Sequence, residues 1–397
     1  MSSFNPGRPL RVVLKPGRDG PARKRRHPWI YSQAVGEAPD DAAPRELLPI
    51  HAAEGALLGW GFYSARSLIA VRMVSFGHEK PAEDWIARRI RAAWSLRESL
   101  GIDSDAIRLV NAEGDSIPGL VVDLYGGTAV ISAHVKGVEA EIDRVAACLR
   151  EKAPALCVYF KRDEHYARVE GLSLASGYIA GEGDGACVVR EGAAFFRVDF
   201  ARGQKTGFYL DQRENRRIIA RCCRKKRLLN LFSYTGAVAI QSVAAGAAHA
   251  VSVESSQRAL EASKENVTLN PGLPGGAFEW IQEDAFAFLG SVGSFDVVVA
   301  DPPPFARRRA EVEGALRGYL SLFQMCIRAL VPGGLAFFFS CSGAVDRPTF
   351  RQVVVDAALR SGRNVRLLGE LHADADHPVS AAHPEGEYLK GWMVHAE

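Results

Sequence analysis

Two stretches carry reactive side chains to what reads as the end of a strand. Phe295 to Ala300, FDVVVA, has the continuous apolar pattern of a strand buried on both faces, and it breaks into Asp301-Pro302-Pro303-Pro304-Phe305. This sets an acid beside a rigid proline platform. A second run, LAFFF, ends in Ser340-Cys341-Ser342-Gly343, where small polar neighbours allow a thiol to face a cleft. A thiolate so placed is a nucleophile, and a carboxylate across from it can orient an amine or ring nitrogen by hydrogen bonding. Cys148, Cys157, Cys187 and Cys326 sit in segments where a cysteine reads as a small hydrophobe.

A third stretch offers a seat for a nucleotide. Leu228 to Ala237, LLNLFSYTGA, is an apolar run containing Asn230 that breaks into Phe232, Ser233, Tyr234, Thr235 and Gly236 before the helical VAIQSVAAGA. A chain leaving the carboxyl end of a parallel strand needs small residues for its backbone to approach a ligand, and the helix that follows presents unpaired N–H groups. A second apolar run, VSV, ends in Glu254 and Ser255, where nucleotide-binding sheets set an acid against ribose hydroxyls. Only Gly236 lies in the turn, so the G-x-G-x-x-G of a dinucleotide site is missing, and no phosphate-loop lysine follows. Taken alone, FSYTG reads equally well as an ordinary α/β turn.

The elements that must position these groups alternate. After the cofactor strand come a helix over 257–269, the strand FEWIQEDAF, the strand FDVVVADPP, a helix over 311–330, the strand LAFFFSCSG, a helix over 348–361, and the strands VRLLG and YLKGWMV. Such alternation predicts a parallel, doubly wound sheet, whose right-handed crossovers bring every strand's carboxyl end to one edge. Phe232 to Gly236, Glu254, Asp284, Asp301 to Phe305 and Ser340 to Gly343 then gather along that edge. Ahead of it, GQKTGFYLDQRENRRIIA reads as a turn leading to a helix with Arg213, Arg216 and Arg217 on its polar side.

At 397 residues, with 47% hydrophobic and 24% charged residues, the chain can bury more than one core, and two or three domains are expected. The opening MSSFNPGRPLRVV lacks a signal-peptide core and no long apolar run occurs, so a cytoplasmic protein without membrane spans is expected. The seven cysteines show no C-x-x-C spacing, which predicts reduced thiols and no metal site. Glu113, Asp115 and Asp123 read as acidic turn residues, and His377 and His383 as hydrogen-bonded structural residues. The net charge of +3 is unevenly placed: Arg11, Lys15, Arg18, Arg23, Lys24, Arg25 and Arg26 crowd the beginning, with His27-Pro28-Trp29-Ile30-Tyr31 directly after them. Charge beside stacking surfaces suits single-stranded nucleic acid, so Lys15, Arg23 to Arg26 and Trp29 are the RNA-binding candidates.

The cofactor loop, Glu254 and the Asp-Pro-Pro strand end together resemble class I S-adenosylmethionine-dependent methyltransferases. RKRRHPWIYSQAV with GWGFYSARSLIAVRMVS resembles the PUA domain, an RNA-binding module. RLVNAEGDSIPGLVVDLY, DQRENRR, LNLFSYTGA, FSCSG, ADHP and EGEYLKG are similar to strings of RlmI-like ribosomal RNA methyltransferases. The expected architecture is therefore a PUA-like β-barrel over residues 1–76, a central mixed α+β domain over 77–190, and a Rossmann-like class I methyltransferase sheet over 191–397. The resemblance implies S-adenosyl-L-methionine as cofactor, with Phe208, Asp211, Gln212 and Arg213 closing over its methionine end. It places Asp284 at the adenine amino group with Ala285 lining the ring, and Pro302 beside the sulfonium.

S-C-S-G is similar to the S-C motif of pyrimidine carbon-5 methyltransferases, which makes Cys341 the nucleophile and cytosine in large-subunit (23S) ribosomal RNA the target. Carbon 5 of a pyrimidine is a weak nucleophile, and thiolate addition at carbon 6 converts it into an enamine-like one. The chain departs from many RNA cytosine-5 methyltransferases, which carry a second cysteine after the proline of the Asp-Pro motif where this chain has Pro303 or Pro304. The base that removes the carbon-5 proton is left between Asp301 and Glu385. Two other readings stand beside this one: methylation of a purine nitrogen through Asp301, since Asp-Pro-Pro-x-Phe also resembles the amino-methyltransferase motif, and a non-catalytic ribosome-assembly factor. A homodimer is an open expectation for its assembly.

Overall fold

The structure is a computed structural model describing residues 10–39, 43, 45–290, 293–306 and 308–397. The first part of MSSFNPGRPLRVV, residues 1–9, therefore lies outside the described residues. The chain divides into two compact units, one of Met1–Cys187, Val198–Phe208 and Ala375–Gly386, the other of Val188–Arg197, Tyr209–Asp374 and Glu387–Glu397. The chain passes between the units repeatedly, after residues 187, 197, 208, 374 and 386. No helix among the described residues is long and apolar enough to cross a membrane.

The first unit contains two sheets. Strands Val12–Leu14, Trp29–Ile30, Val35–Glu37, Leu48–His51, Leu57–Tyr63 and Val71–Phe76 form a six-stranded sheet around Val12, Leu14, Ile50, Val71 and Met73. Ala106–Asn111, Leu120–Tyr125, Thr128–Ala133, Cys157–Phe160 and Gly177–Ala180 form a five-stranded one against helices Trp85–Ser99 and Ile142–Lys152. The hairpin expected through Tyr125-Gly126-Gly127 forms, with Gly126 at φ 55°. Each acid of the Glu113, Asp115, Asp123 group is paired with an arginine: Arg72 at 3.0 Å, Arg97 at 2.5 Å and Arg108 at 2.5 Å respectively.

The second unit is built on a seven-stranded sheet. In chain order its strands are β1 (Arg227–Leu231), β2 (His249–Val253), β3 (Phe278–Ile281), β4 (Phe295–Ala300), β5 (Leu330–Ser340), β6 (Val365–His372) and β7 (Lys390–Ala396), arranged β3-β2-β1-β4-β5-β7-β6. Helices α1 (Arg213–Cys222), α2 (Ala237–Ala244), α3 (Gln257–Thr268), α4 (Ala285–Leu289), α5 (Val312–Arg328) and α6 (Arg347–Arg360) complete it. The first five strands run parallel, and their interiors are apolar without alternation because helices cover both faces. The core joins Leu229, Val251 and Val298 to Tyr319, Phe323, Phe338 and Phe350.

The parallel expectation fails at the last strand. β7 is antiparallel to both β5 and β6, with Ser340 opposite Lys390. An antiparallel strand inserted between neighbours delivers its first residue, not its last, to the edge where the parallel strands end. A second expectation is also overturned, because Arg213 and Arg216 of α1 are buried, at 7% and 3% exposure, instead of lying on a solvated face. Arg216 forms a two-pronged pair with the buried Glu191 at 2.7 and 2.6 Å, and Arg213 meets Asp374 at 2.6 Å. Only Arg217 is exposed, paired with Glu214 at 2.7 Å.

Candidate active site

The register of the sheet sets the site out in a row. Leu231, Val253 and Ile281 are level across β1, β2 and β3, and Ala300 is level with Leu231, so Phe232, Glu254 and Asp301 leave the sheet side by side. The loop after β1 is held in an unusual shape: Phe232, Tyr234 and Gly236 have φ of 56°, 48° and 78°. Left-handed backbone at non-glycine residues costs of order 1–3 kcal/mol each and persists where surrounding structure enforces it. Here the Ser233 amide donates to the Val253 carbonyl at 3.1 Å, the Tyr234 amide to Glu254 Oε2 at 2.9 Å, and Asn266 Nδ2 to the Thr235 carbonyl at 3.0 Å. Gly236 is required twice over, since a Cβ there would also lie 2.0 Å from Ser263 Oγ.

Three polar atoms of this loop and strand have nothing to bond. Among the described residues, Asn230 Nδ2, Ser233 Oγ and Thr235 Oγ1 are buried with no hydrogen-bond partner. Each costs about 1–3 kcal/mol unless a ligand satisfies it, which is the condition of a seat shaped for a polar molecule. Glu254 is half-buried, and its Oε1 accepts the Ser256 amide at 3.0 Å, so the carboxylate keeps lone pairs for hydroxyls. Ser255 is exposed beside it, its Oγ 3.4 Å from Glu254 Oε1. Asp284 is exposed and caps α4, its Oδ1 accepting the amides of Phe286 and Ala287 at 2.9 and 3.1 Å, while Ala285 is buried. Asp284 thus has a structural role that the sequence reading did not include.

Asp301 and Cys341 are brought together by their loops. Ser342 Oγ donates to the Ala306 carbonyl at 2.6 Å, and Ser340 Oγ donates to Tyr319 OH at 2.9 Å. Tyr319, fully buried on α5, packs its ring 4.6 Å from that of Phe305. The loop after β4 is in this way stitched to the loop after β5. Asp301 is half-buried and accepts from Gln212 Nε2 at 2.8 Å, and Gln212 Oε1 accepts in turn from Asn215 at 2.6 Å. Pro302 is buried and Cys341 half-buried.

The segment 208–213 does several things at once. Asp211 accepts from Tyr388 OH at 2.6 Å, Gln212 reaches Asp301, and Arg213 is bound to Asp374; Phe208 belongs to the other unit. Sequence reasoning missed Tyr209, whose ring stands 5.3 Å from Tyr234 in an edge contact. Burial, with Tyr234, Asp301, Asp211 and Cys341 adding, pushes its phenol well above the ordinary range, so it is neutral. It also missed Lys390, only 3% exposed, which donates to the Ser342 carbonyl at 2.9 Å and to the Tyr388 carbonyl at 2.7 Å. Tyr319 had no signal in the linear pattern, since it acts from a helix on loops distant in sequence.

In the first unit, Lys15, Lys24, Arg25 and Arg26 are exposed, whereas Arg23 is bridged to Asp19 at 2.7 Å and to Glu54. Trp29 is engaged within a cluster. Its Nε1 donates to Glu113 at 2.6 Å, Arg72 lies 5.1 Å from the ring centre, and His383 meets the ring at 4.3 Å. This occupies a side chain expected to stack on RNA. Glu385 is exposed at its carboxylate and lies 3.1 Å from His27 Nε2 in this same unit. His377 is buried against Asp376 at 2.7 Å.

Residues 145–376 match the family model of S-adenosylmethionine-dependent methyltransferases, and residues 12–76 match that of a PUA-like domain. The chain belongs to the S-adenosylmethionine-dependent methyltransferase family. Within that family it is similar along nearly its whole length to a ribosomal RNA large subunit methyltransferase I from Shewanella amazonensis, 36% identical with 97% of this chain and 99% of the relative covered. The protein of the same name from Cronobacter sakazakii is also 36% identical, over 97% of this chain and 99% of its own. The crystal structure of SMU.776, described as a methyltransferase complexed with SAH, shares the fold, with a TM-score of 0.83 at 21% identity over 97% of this chain and 99% of that one. The β3-β2-β1-β4-β5-β7-β6 order with one antiparallel strand is that of the class I methyltransferase sheet. The family's cofactor, S-adenosylmethionine, fits what the loop after β1 provides: unsatisfied buried polar atoms, a glycine-dependent backbone turn and an acid with lone pairs to spare.

Proposed function

We propose that this protein methylates carbon 5 of a cytosine in large-subunit ribosomal RNA, with Cys341 as nucleophile. The observation that carries the reading is the fastening of the Cys341 loop to the Asp301 loop through Ser342 and Tyr319, on the edge of a methyltransferase sheet. The names of the relatives support ribosomal RNA as substrate. Asn230, Ser233, Thr235, Glu254, Ser255, Asp284 and Ala285 hold S-adenosylmethionine, which when bound supplies an electrophilic methyl group. Lys15, Lys24, Arg25 and Arg26 meet the RNA phosphates.

The target base swings out of its stack to reach the cleft. The Cys341 thiolate bonds to carbon 6 and the electron pair of the carbon 5–carbon 6 double bond makes carbon 5 nucleophilic. Once carbon 5 is methylated, a base takes its proton, the sulfur–carbon bond breaks, and the double bond and thiolate are restored. We assign Asp301 both the orienting of the base's exocyclic amine and the removal of this proton. Gln212 holds it on the Cys341 edge, whereas the Glu385 carboxylate is engaged by His27.

Nucleoside mass spectrometry of large-subunit RNA from cells lacking the protein tests this. A 5-methylcytidine should disappear, return with the wild-type gene, and stay absent with Cys341→Ser, because a hydroxyl is far less ionised near neutral pH than a thiol. RNA with 5-fluorocytosine at the target should form a denaturation-resistant adduct that Cys341→Ser abolishes. A serine variant that still methylates would remove the thiol from the reaction and leave purine-nitrogen methylation through Asp301. Unaltered RNA in the deletion strain would point to an assembly factor.

A further inference from the structure

A buried lysine stands next to the proposed nucleophile. Lys390, the first residue of β7, is 3% exposed, and among the described residues it forms no ion pair. Burial of an ammonium without a counter-ion is costly, and hydrogen bonds to neutral carbonyls offset the cost only in part. The two bonds it makes are to the Ser342 carbonyl at 2.9 Å and the Tyr388 carbonyl at 2.7 Å. Ser342 directly follows Cys341, and the antiparallel register sets Lys390 opposite Ser340, which directly precedes it. Lys390 therefore brackets the cysteine from both sides.

The charges around it are few. Burial pulls Lys390 down to about 8, the Cys341 thiolate and Asp346 push it back up, and Arg347 pulls it further down. The ammonium is therefore the majority form at neutral pH and is lost above about pH 8. The tyrosines that interact with Cys341, Tyr209 and Tyr319, have phenols raised by burial and carry no charge. The other acids that act on these tyrosines are Asp301, on both, and Asp211, on Tyr209.

We propose that Lys390 is a positioning residue for Cys341: it fixes the loop through the Ser342 carbonyl and supplies the positive charge that favours the thiolate. This deepens the reading of Cys341 as nucleophile and rests on it. The charge explains how a half-buried thiol between two serines can be ionised.

Cys341 alkylation by iodoacetamide, followed on its own peptide by mass spectrometry between pH 5.5 and 10, tests the coupling in the intact protein without RNA or S-adenosylmethionine. The wild-type rate should reach half its plateau below the value of a free thiol, about 8.5. Lys390→Met should move the profile up by about one pH unit, so that alkylation near pH 7 slows by about tenfold. Lys390→Arg, which keeps the charge, should stay close to wild type. A folded Lys390→Met with an unshifted profile overturns the proposal, and so does a wild-type half-point at or above 8.5, a measurement that does not depend on any variant folding. The nucleophile reading fails separately: Cys341→Ser retaining methylation would refute it even where the alkylation profiles shift as expected.

Discussion

Glu254 holds two backbone amides and, on the proposed reading, a ribose, and replacing it separates the two roles. Oε2 accepts the amide of Tyr234 at 2.9 Å and Oε1 accepts that of Ser256 at 3.0 Å. A carboxylate offers about four lone-pair sites, so about two remain for a ribose diol. Glu254→Ala should weaken S-adenosylmethionine binding by about 1.5–3 kcal/mol, the worth of hydrogen bonds to a charged group, or about 10- to 150-fold in Kd. The same change frees the amide of Tyr234, a residue held at φ 48°, so the loop should lose stability as well. Because Glu254 is only half-buried, water can solvate the freed amides in part and the loss should fall near 1 kcal/mol. Glu254→Gln keeps one oxygen for the backbone but not the charge, and should fall between the two. Isothermal titration calorimetry measures the first effect and thermal denaturation the second. An alanine variant that binds with wild-type affinity would refute the ribose assignment whatever happened to its stability. A glutamine variant unchanged in both measurements would reduce Glu254 to a scaffold for the loop.

Two further predictions concern the first unit. Changing Lys24, Arg25 and Arg26 together to glutamine should weaken binding to a single-stranded ribosomal RNA fragment and lower the slope of log K against log salt by about 2, at about 0.7 per phosphate contact, while Arg23→Gln alone, already bridged to Asp19 and Glu54, should change it far less; filter binding across salt concentrations reads both. His134, stacked on Tyr166 at 3.9 Å, is pushed down to about 4 by burial, with Asp163 opposing, so the unfolded chain protonates first; its contribution is complete above about 6.5 and is lost as pH falls towards about 4. Thermal melts of His134→Phe over that window should show a flatter acid decline than wild type, and parallel curves would rule out His134 as a source of it.

The strand ends of the proposed site were legible because β1, β2, β4 and β5 are buried on both faces. That leaves continuous apolar runs which stop where the backbone emerges, so Phe232, Glu254, Asp301 and Cys341 announce themselves. Periodicity failed for α1. A buried arginine and a solvated one have the same helical spacing, and what buries Arg216 is Glu191, a residue on a distant hairpin. The surroundings of Trp29 were hidden for the same reason, because the groups that engage its ring, Arg72 and His383, are far away in the chain. Asp284 was read as a ligand contact although its local sequence, an acid just before a short apolar helix, is equally that of an N-cap. The division into units was hidden because short segments, 198–208 and 375–386, return to the first unit after the chain has entered the second.

Lys390 was out of reach for a topological reason that also explains its value. Had β7 run parallel, its first residue would lie at the opposite end of the sheet from the strand ends that carry Asp301 and Cys341. Reversing one strand exchanges its two ends, so the residue that opens β7 arrives opposite Ser340, where β5 closes. Ser340 and Ser342, on either side of Cys341, face inward to Tyr319 and the Ala306 carbonyl and bring no cation to this spot. The reversed strand supplies one from a separate part of the chain, held by backbone carbonyls that fix its position without cancelling its charge. On the proposed reading, the charge beside Cys341 is thus set by the direction of the strand that Lys390 opens.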